Sequence, residues 1–174
     1  MRARHFVLFA ITFGALLFSS TAVRAQNTKK DYLSDLEGDK IRDAESSSER
    51  IGLFLTFAAD RLQKLQYELN RTEPERNRAA TLNGLLNGYA GCIDDAADLV
   101  VVETEKQTDI RGAVKEFQNR GKEFLATLEK LATDGPELDT YKETLLDAIE
   151  GTKDALNDVQ QAAKKLAPPP RKKP

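Results

Sequence analysis

Tryptophan is absent from the 174 residues, and cysteine, methionine and histidine occur once each, as Cys92, Met1 and His5. These scarcities exclude most of the chemistry that small helical proteins host. Haem in a helical bundle takes His or Met ligands, and covalent attachment needs Cys-x-x-Cys-His. Di-iron bundles need Glu-x-x-His pairs. Zinc centres draw on Cys and His together. Ser-His-Asp and Cys-His nucleophiles lack their base. No cofactor and no metal is expected. A single cysteine cannot form an internal disulfide, so stability must come from packing. There is no excess of positive charge either: 26 Lys and Arg stand against 28 Asp and Glu, which gives no nucleic-acid signature.

The N-terminus reads as a secretory signal peptide over residues 1–25. Residues 1–5 (MRARH) are basic, the 13 residues 6–18 carry no charge, and Val23 and Ala25 lie three and one positions before Gln26. Small residues at those positions suit a signal peptidase, and the apolar run is short for a membrane span of ~20 residues. An uncleaved anchor is the alternative. Cleavage places the protein in an exported compartment, periplasmic or extracellular. It also removes His5, Met1 and three basic residues (Arg2, Arg4, Arg24), leaving 23 basic against 28 acidic residues, a net charge of −5. The remaining 149 residues suit one domain.

The most apolar stretch of that mature chain is residues 51–69 (IGLFLTFAADRLQKLQYEL). Ile51, Leu55, Ala58, Leu62, Leu65 and Leu69 advance by alternating steps of four and three, the rhythm of one helix stripe and of a coiled-coil seam. Ser46 with Glu49 is a capping box that starts this helix, which runs to about Arg71. Thr72 with Glu75 predicts a second capping box, with Pro74 in the first turn of a helix over residues 73–103. Its inward residues are Leu82, Leu85, Tyr89, Cys92, Ala96 and Leu99. Gly84, Gly88 and Gly91 interrupt it, and close packing against Phe54 and Phe57 is the preferred reason. Residues 103–109 (ETEKQTD) contain no apolar side chain and predict a turn, with Thr108 as N-cap of a third helix over 109–133. One continuous rod is the alternative. Gly135 and Pro136 separate that helix from a fourth over 137–166. The expected fold is all-α: an up-down-up-down four-helix bundle over residues 46–167, preceded by a polar arm (26–45) and followed by a disordered Pro-rich basic tail (168–174). Tyr32, Leu33 and Leu36 predict a short helix in the arm that caps the bundle, and Ile41 could extend the main helix backwards.

Few residues stand out as a site. Leu53, Phe54 and Phe57 lie off the main stripe and widen the apolar surface of the first helix. Either neighbouring helices cover them or they form a docking face for a protein partner or a second copy. Arg171, Lys172 and Lys173 make a basic tip suited to peripheral contact with an anionic envelope surface. Cys92 reads as a small buried residue. Asp94, Asp95 and Asp98 read as a solvated face, with weak Ca²⁺ binding as the alternative. Asn70-Arg71-Thr72 is a glycosylation acceptor in a eukaryotic secretory pathway. The functional expectation is a non-catalytic interaction or structural module of a cell envelope. The alternative is a carrier holding an apolar small molecule or lipid near Phe54, Phe57, Tyr89 and Phe117. A hydrolase working with carboxylates alone is a third reading.

Overall fold

The computed structural model describes residues 32–73 and 76–166. Residues 1–31, where the signal peptide is expected, Pro74, Glu75 and residues 167–174 with Arg171, Lys172 and Lys173 lie outside the described residues. Among the described residues the chain is all-helical: α1 (Asp35–Asp43), α2 (Ser47–Asn70), α3 (Arg78–Glu105), α4 (Arg111–Asp134), a 3₁₀ turn (Leu138–Thr140) and α5 (Lys142–Lys165).

The predicted stripe of α2 points inward in full and that of α3 in part: Leu85 and Leu99 are only partly buried, and Leu86, Ile93 and Val100 are buried in their stead. All six stripe residues of α2, from Ile51 to Leu69, are buried in one core, as are Leu82, Tyr89, Cys92 and Ala96 of α3. From α4 come Ile110 at its N-cap, Val114, Phe117, Phe124 and Leu128; from α5, Leu145, Ala148, Ala155, Val159 and Ala162. Each fully buried Leu or Phe contributes ~1.5–3 kcal/mol relative to leaving it exposed.

The helices alternate in direction, but neighbours in sequence are not always neighbours in space. α2 pairs with α3, α3 with α5, α5 with α4 and α4 with α2, whereas α3 and α4 meet only marginally. α3 and α5 run parallel: Asn83 bonds Thr144, Tyr89 bonds Thr152 and Gln107 bonds Lys165. α2 and α3 run antiparallel, with Arg61 against Gly88 and Arg78 against Leu69. The α3–α4 connection therefore crosses one end of the core.

The turn predicted after Glu103 is present, and α3 and α4 are separate. Gln107 takes a left-handed φ of 56°, Thr108 N–H donates to the Glu103 carbonyl (3.0 Å), and Gln107 N–H donates to the Thr104 carbonyl (3.0 Å). These are the two bonds that close a helix end when the residue beyond its C-cap is left-handed. Thr108 does not cap α4. Its hydroxyl donates to Glu103 instead (2.7 Å).

Helix starts differ more from expectation. α3 begins at Arg78, so Thr72 is not its cap. α5 begins at Lys142, because Glu137 is left-handed (φ 53°) and only the short 3₁₀ turn follows it. Gly135 has an extended backbone and a different reason to be glycine: a Cβ there would run into the Leu131 carbonyl and the Tyr141 hydroxyl. At α2, Ser46 accepts from Glu49 N–H (3.1 Å), while the Glu49 carboxylate reaches past Ser46 to Glu45 N–H (2.9 Å).

Candidate functional site

Phe54 and Phe57, read as covered either by neighbouring helices or by a docking partner, are buried in the core at 5% and 6% exposure, and Leu53 is partly buried against it. The reason is geometric: α2 is covered by α3 on one side and α4 on another. The widened apolar surface is thus used within the monomer.

The aromatic residues of the carrier reading are in the same core. Tyr89 meets Phe124 edge to face, with centroids 5.9 Å apart and planes at 87°. Thr152 donates its hydroxyl proton to the Ala148 carbonyl (2.6 Å), so at the 2.8 Å contact the Tyr89 hydroxyl is the donor. Burial pushes the Tyr89 phenol well above its usual range, and the charge of nearby Asp94 pushes it the same way. Cys92 is a free, fully buried thiol. Asp94 and Asp98 are exposed and Asp95 is half-buried. Partial loss of hydration at the carboxyl, and then the Asp98 charge, raises Asp94. Among the described residues, no three His, Cys, Asp or Glu side chains gather closely enough to hold a metal ion.

What the structure assembles is a polar fastener that no motif announces. Ser34 caps α1 in a complete capping box: Glu37 N–H donates to the Ser34 hydroxyl, and the Glu37 carboxylate accepts from Ser34 N–H (2.9 Å). The same carboxylate takes both arms of the Arg61 guanidinium, Nη1 to Oε1 at 2.7 Å and Nη2 to Oε2 at 2.7 Å. This fork-on-fork geometry is the strongest form of the pair. Arg61 also donates to the Tyr32 carbonyl (3.2 Å) and to Asp60 (3.0 Å), and it is only 9% exposed. Its hydrogen bonds hold Glu37 down at about 2, against the opposing pull of burial, and Glu37 in turn raises Arg61. Both groups stay charged across the physiological range, which suits a fastener and not a proton-transfer pair.

The helix glycines belong to this site. A Cβ on Gly91 would lie 2.7 Å from the Tyr32 ring, and one on Gly88 would lie 3.5 Å from Arg61 Nε. The room they leave is filled by Tyr32 and Arg61, not by Phe54 and Phe57. Gly84 faces open space. The available sequence signal was an arginine between Ala58 and Leu65 on the inward side of α2, with two glycines waiting on α3. It identified no partner, because Glu37 is 24 residues away.

No family model, curated protein or solved structure matches the chain.

Proposed function

We propose that this chain is an exported, non-catalytic protein that works as an interaction or structural module of a cell envelope. In this reading residues 1–25 are a cleaved signal peptide, the four long helices form a four-helix bundle, and the basic tail lends peripheral contact with an anionic surface. The observation that carries it is the position of the aromatic side chains. Phe54, Phe57, Tyr89 and Phe117 fill the protein's own core, so a carrier would have to displace them to hold an apolar ligand. Contacts then fall to the outer helix faces. The groove between α4 and α5, of about 360 Å³, is lined by Gln118, Lys122, Lys153, Leu156, Asn157 and Gln160, a mainly polar set.

Native mass spectrometry of the protein from its own envelope fraction tests the reading. The expected species starts at Gln26 and sheds no small molecule on denaturation. A chain that keeps Met1 would overturn export, and an apolar molecule released on denaturation would favour the carrier.

A further inference from the structure

Helix α1 is held differently from the rest of the chain. None of its nine residues is buried, and its substantial helix partner is α2 alone. Its attachment rests on the Glu37–Arg61 pair and on the Tyr32 ring seated over Gly91, with Leu33 and Ile41 adding partial cover. Every one of these contacts joins a residue before the connection at 44–46 to a residue after it, because α1 folds back along α2.

The same segment has a second conformation open to it. Ile41, Ala44, Ser48, Ile51 and Leu55 continue the four–three rhythm of α2 backwards, broken only by Ser48. Residues 39–51 contain no glycine or proline, so nothing covalent prevents one straight helix through the connection. In a straight helix the arm cannot reach its own Arg61, since Arg61 lies 14 residues, ~21 Å, beyond the start of α2. It can reach the Arg61 of another molecule. In two antiparallel straight helices related by a two-fold axis, a register that sets Glu37 of one copy against Arg61 of the other also sets the reciprocal pair. The midpoint of that register falls at Glu49, beside the connection.

We propose that α1 is an exchangeable arm whose second docking partner is another copy of this chain. In the exchanged dimer α1 and α2 straighten through residues 44–46. Glu37 and Tyr32 of each copy then occupy the Arg61–Gly91 site of the other. The Glu37–Arg61 and Tyr32–Gly91 contacts are kept, and the break between α1 and α2 is removed together with its Ser46 cap and the Arg50 bond to the Ala44 carbonyl. The opposing terms are the loss of those bonds and the entropy of association, so the exchange is governed by protein concentration. The inference stands apart from the envelope reading, because it uses only the arm and its seat.

A charge-exchange experiment on the full mature chain tests it, with one variant heavy-isotope labelled and the solutions read by native mass spectrometry. E37R presents a cation to Arg61, and R61E presents a carboxylate to Glu37, so each variant repels its own arm. In a mixed dimer both contacts are restored: the E37R arm meets the R61E site, and the native Glu37 of one copy meets the native Arg61 of the other. The expected result is monomer in each separate solution and a one-to-one mixed dimer on combining them, at least tenfold above either homodimer. Monomers alone after mixing, with helix content equal to that of the native chain, overturn the proposal. So does a dimer of either variant by itself, which would place the interface elsewhere. Should a variant lose helix content, light and heavy native chains are unfolded together and refolded at high concentration. A mixed dimer that E37Q abolishes supports the exchange; monomers only, or a dimer indifferent to E37Q, overturns it.

Discussion

The α2 stripe and the α1 arm lie side by side and are held by opposite means. Ile51, Leu55 and Leu65 have no exposed surface, whereas α1 buries no residue and leaves Leu36 75% exposed. The core is fastened by many non-directional contacts, so its strength follows buried area and does not hang on the charge of one group. The arm is fastened by one forked ion pair and one ring on a glycine, so its strength depends on geometry and on charge. A partly buried ion pair adds little net stability compared with apolar packing. The arm is therefore the part of this molecule that can let go without the remainder unfolding.

The sharpest test of that contrast is Leu65→Ala. Truncation at a fully buried position of α2 is expected to lower global stability by about 2–5 kcal/mol in urea denaturation. Arm and core should be lost together, because the arm's seat is made from α2 and α3.

Acid should separate the two. Glu37 titrates at about 2 in the folded arm, against 4.5 for an unperturbed Glu. A carboxylate whose pKa is lowered by folding stabilises the folded form above its unfolded pKa. That contribution, about 1–3 kcal/mol, fades as pH falls from about 4.5 towards 2. Hydrogen exchange should show α1 amides losing protection across that window while α3 and α5 keep theirs. Simultaneous loss in all helices would break the distinction.

Gly91→Ala tests the seat by sterics alone. Its Cβ would meet the Tyr32 ring at 2.7 Å, so the ring must leave. Replacing a helix glycine returns ~1 kcal/mol, so global stability should change by no more than about that amount while α1 loses its slow exchange. Gly84→Ala is the control: a Cβ there meets nothing within 4 Å. It should raise stability by about 0.5–1 kcal/mol and leave the arm's exchange unchanged.

Much of the helical architecture was legible because helical periodicity is local. The inward residues of α2 follow from spacing, and the break after Glu103 follows from seven residues with no apolar side chain. Restart points were harder. The residues 72–75 and 135–136 mark where helices stop, but where the next one begins depends on tertiary contacts. Before α5, Tyr141 is buried and bonds the Pro136 carbonyl (3.0 Å), and Glu137 lies 2.9 Å from Arg78 of α3. The glycines of α3 announced room for a neighbour without naming it. Phe54 and Phe57 were plausible occupants by size, and Tyr32 and Arg61 are the actual ones because α1 folds back over that face. Leu53, Phe54 and Phe57 illustrate the same limit: a wide apolar surface looks identical in sequence whether a neighbouring helix or a partner covers it.

The residue order alone determined the helical class, the stripes that face inward, and the scarcity of His, Met and Cys, which occur once each. Each is a property of one segment or of composition, and neither changes when segments are rearranged. Tertiary structure decided the neighbour order α2–α3–α5–α4, the burial of Arg61 and its pairing with Glu37. Those outcomes depend on which surfaces meet across long separations, where the direction of a connection and the fit of one ring over one glycine outweigh any local preference.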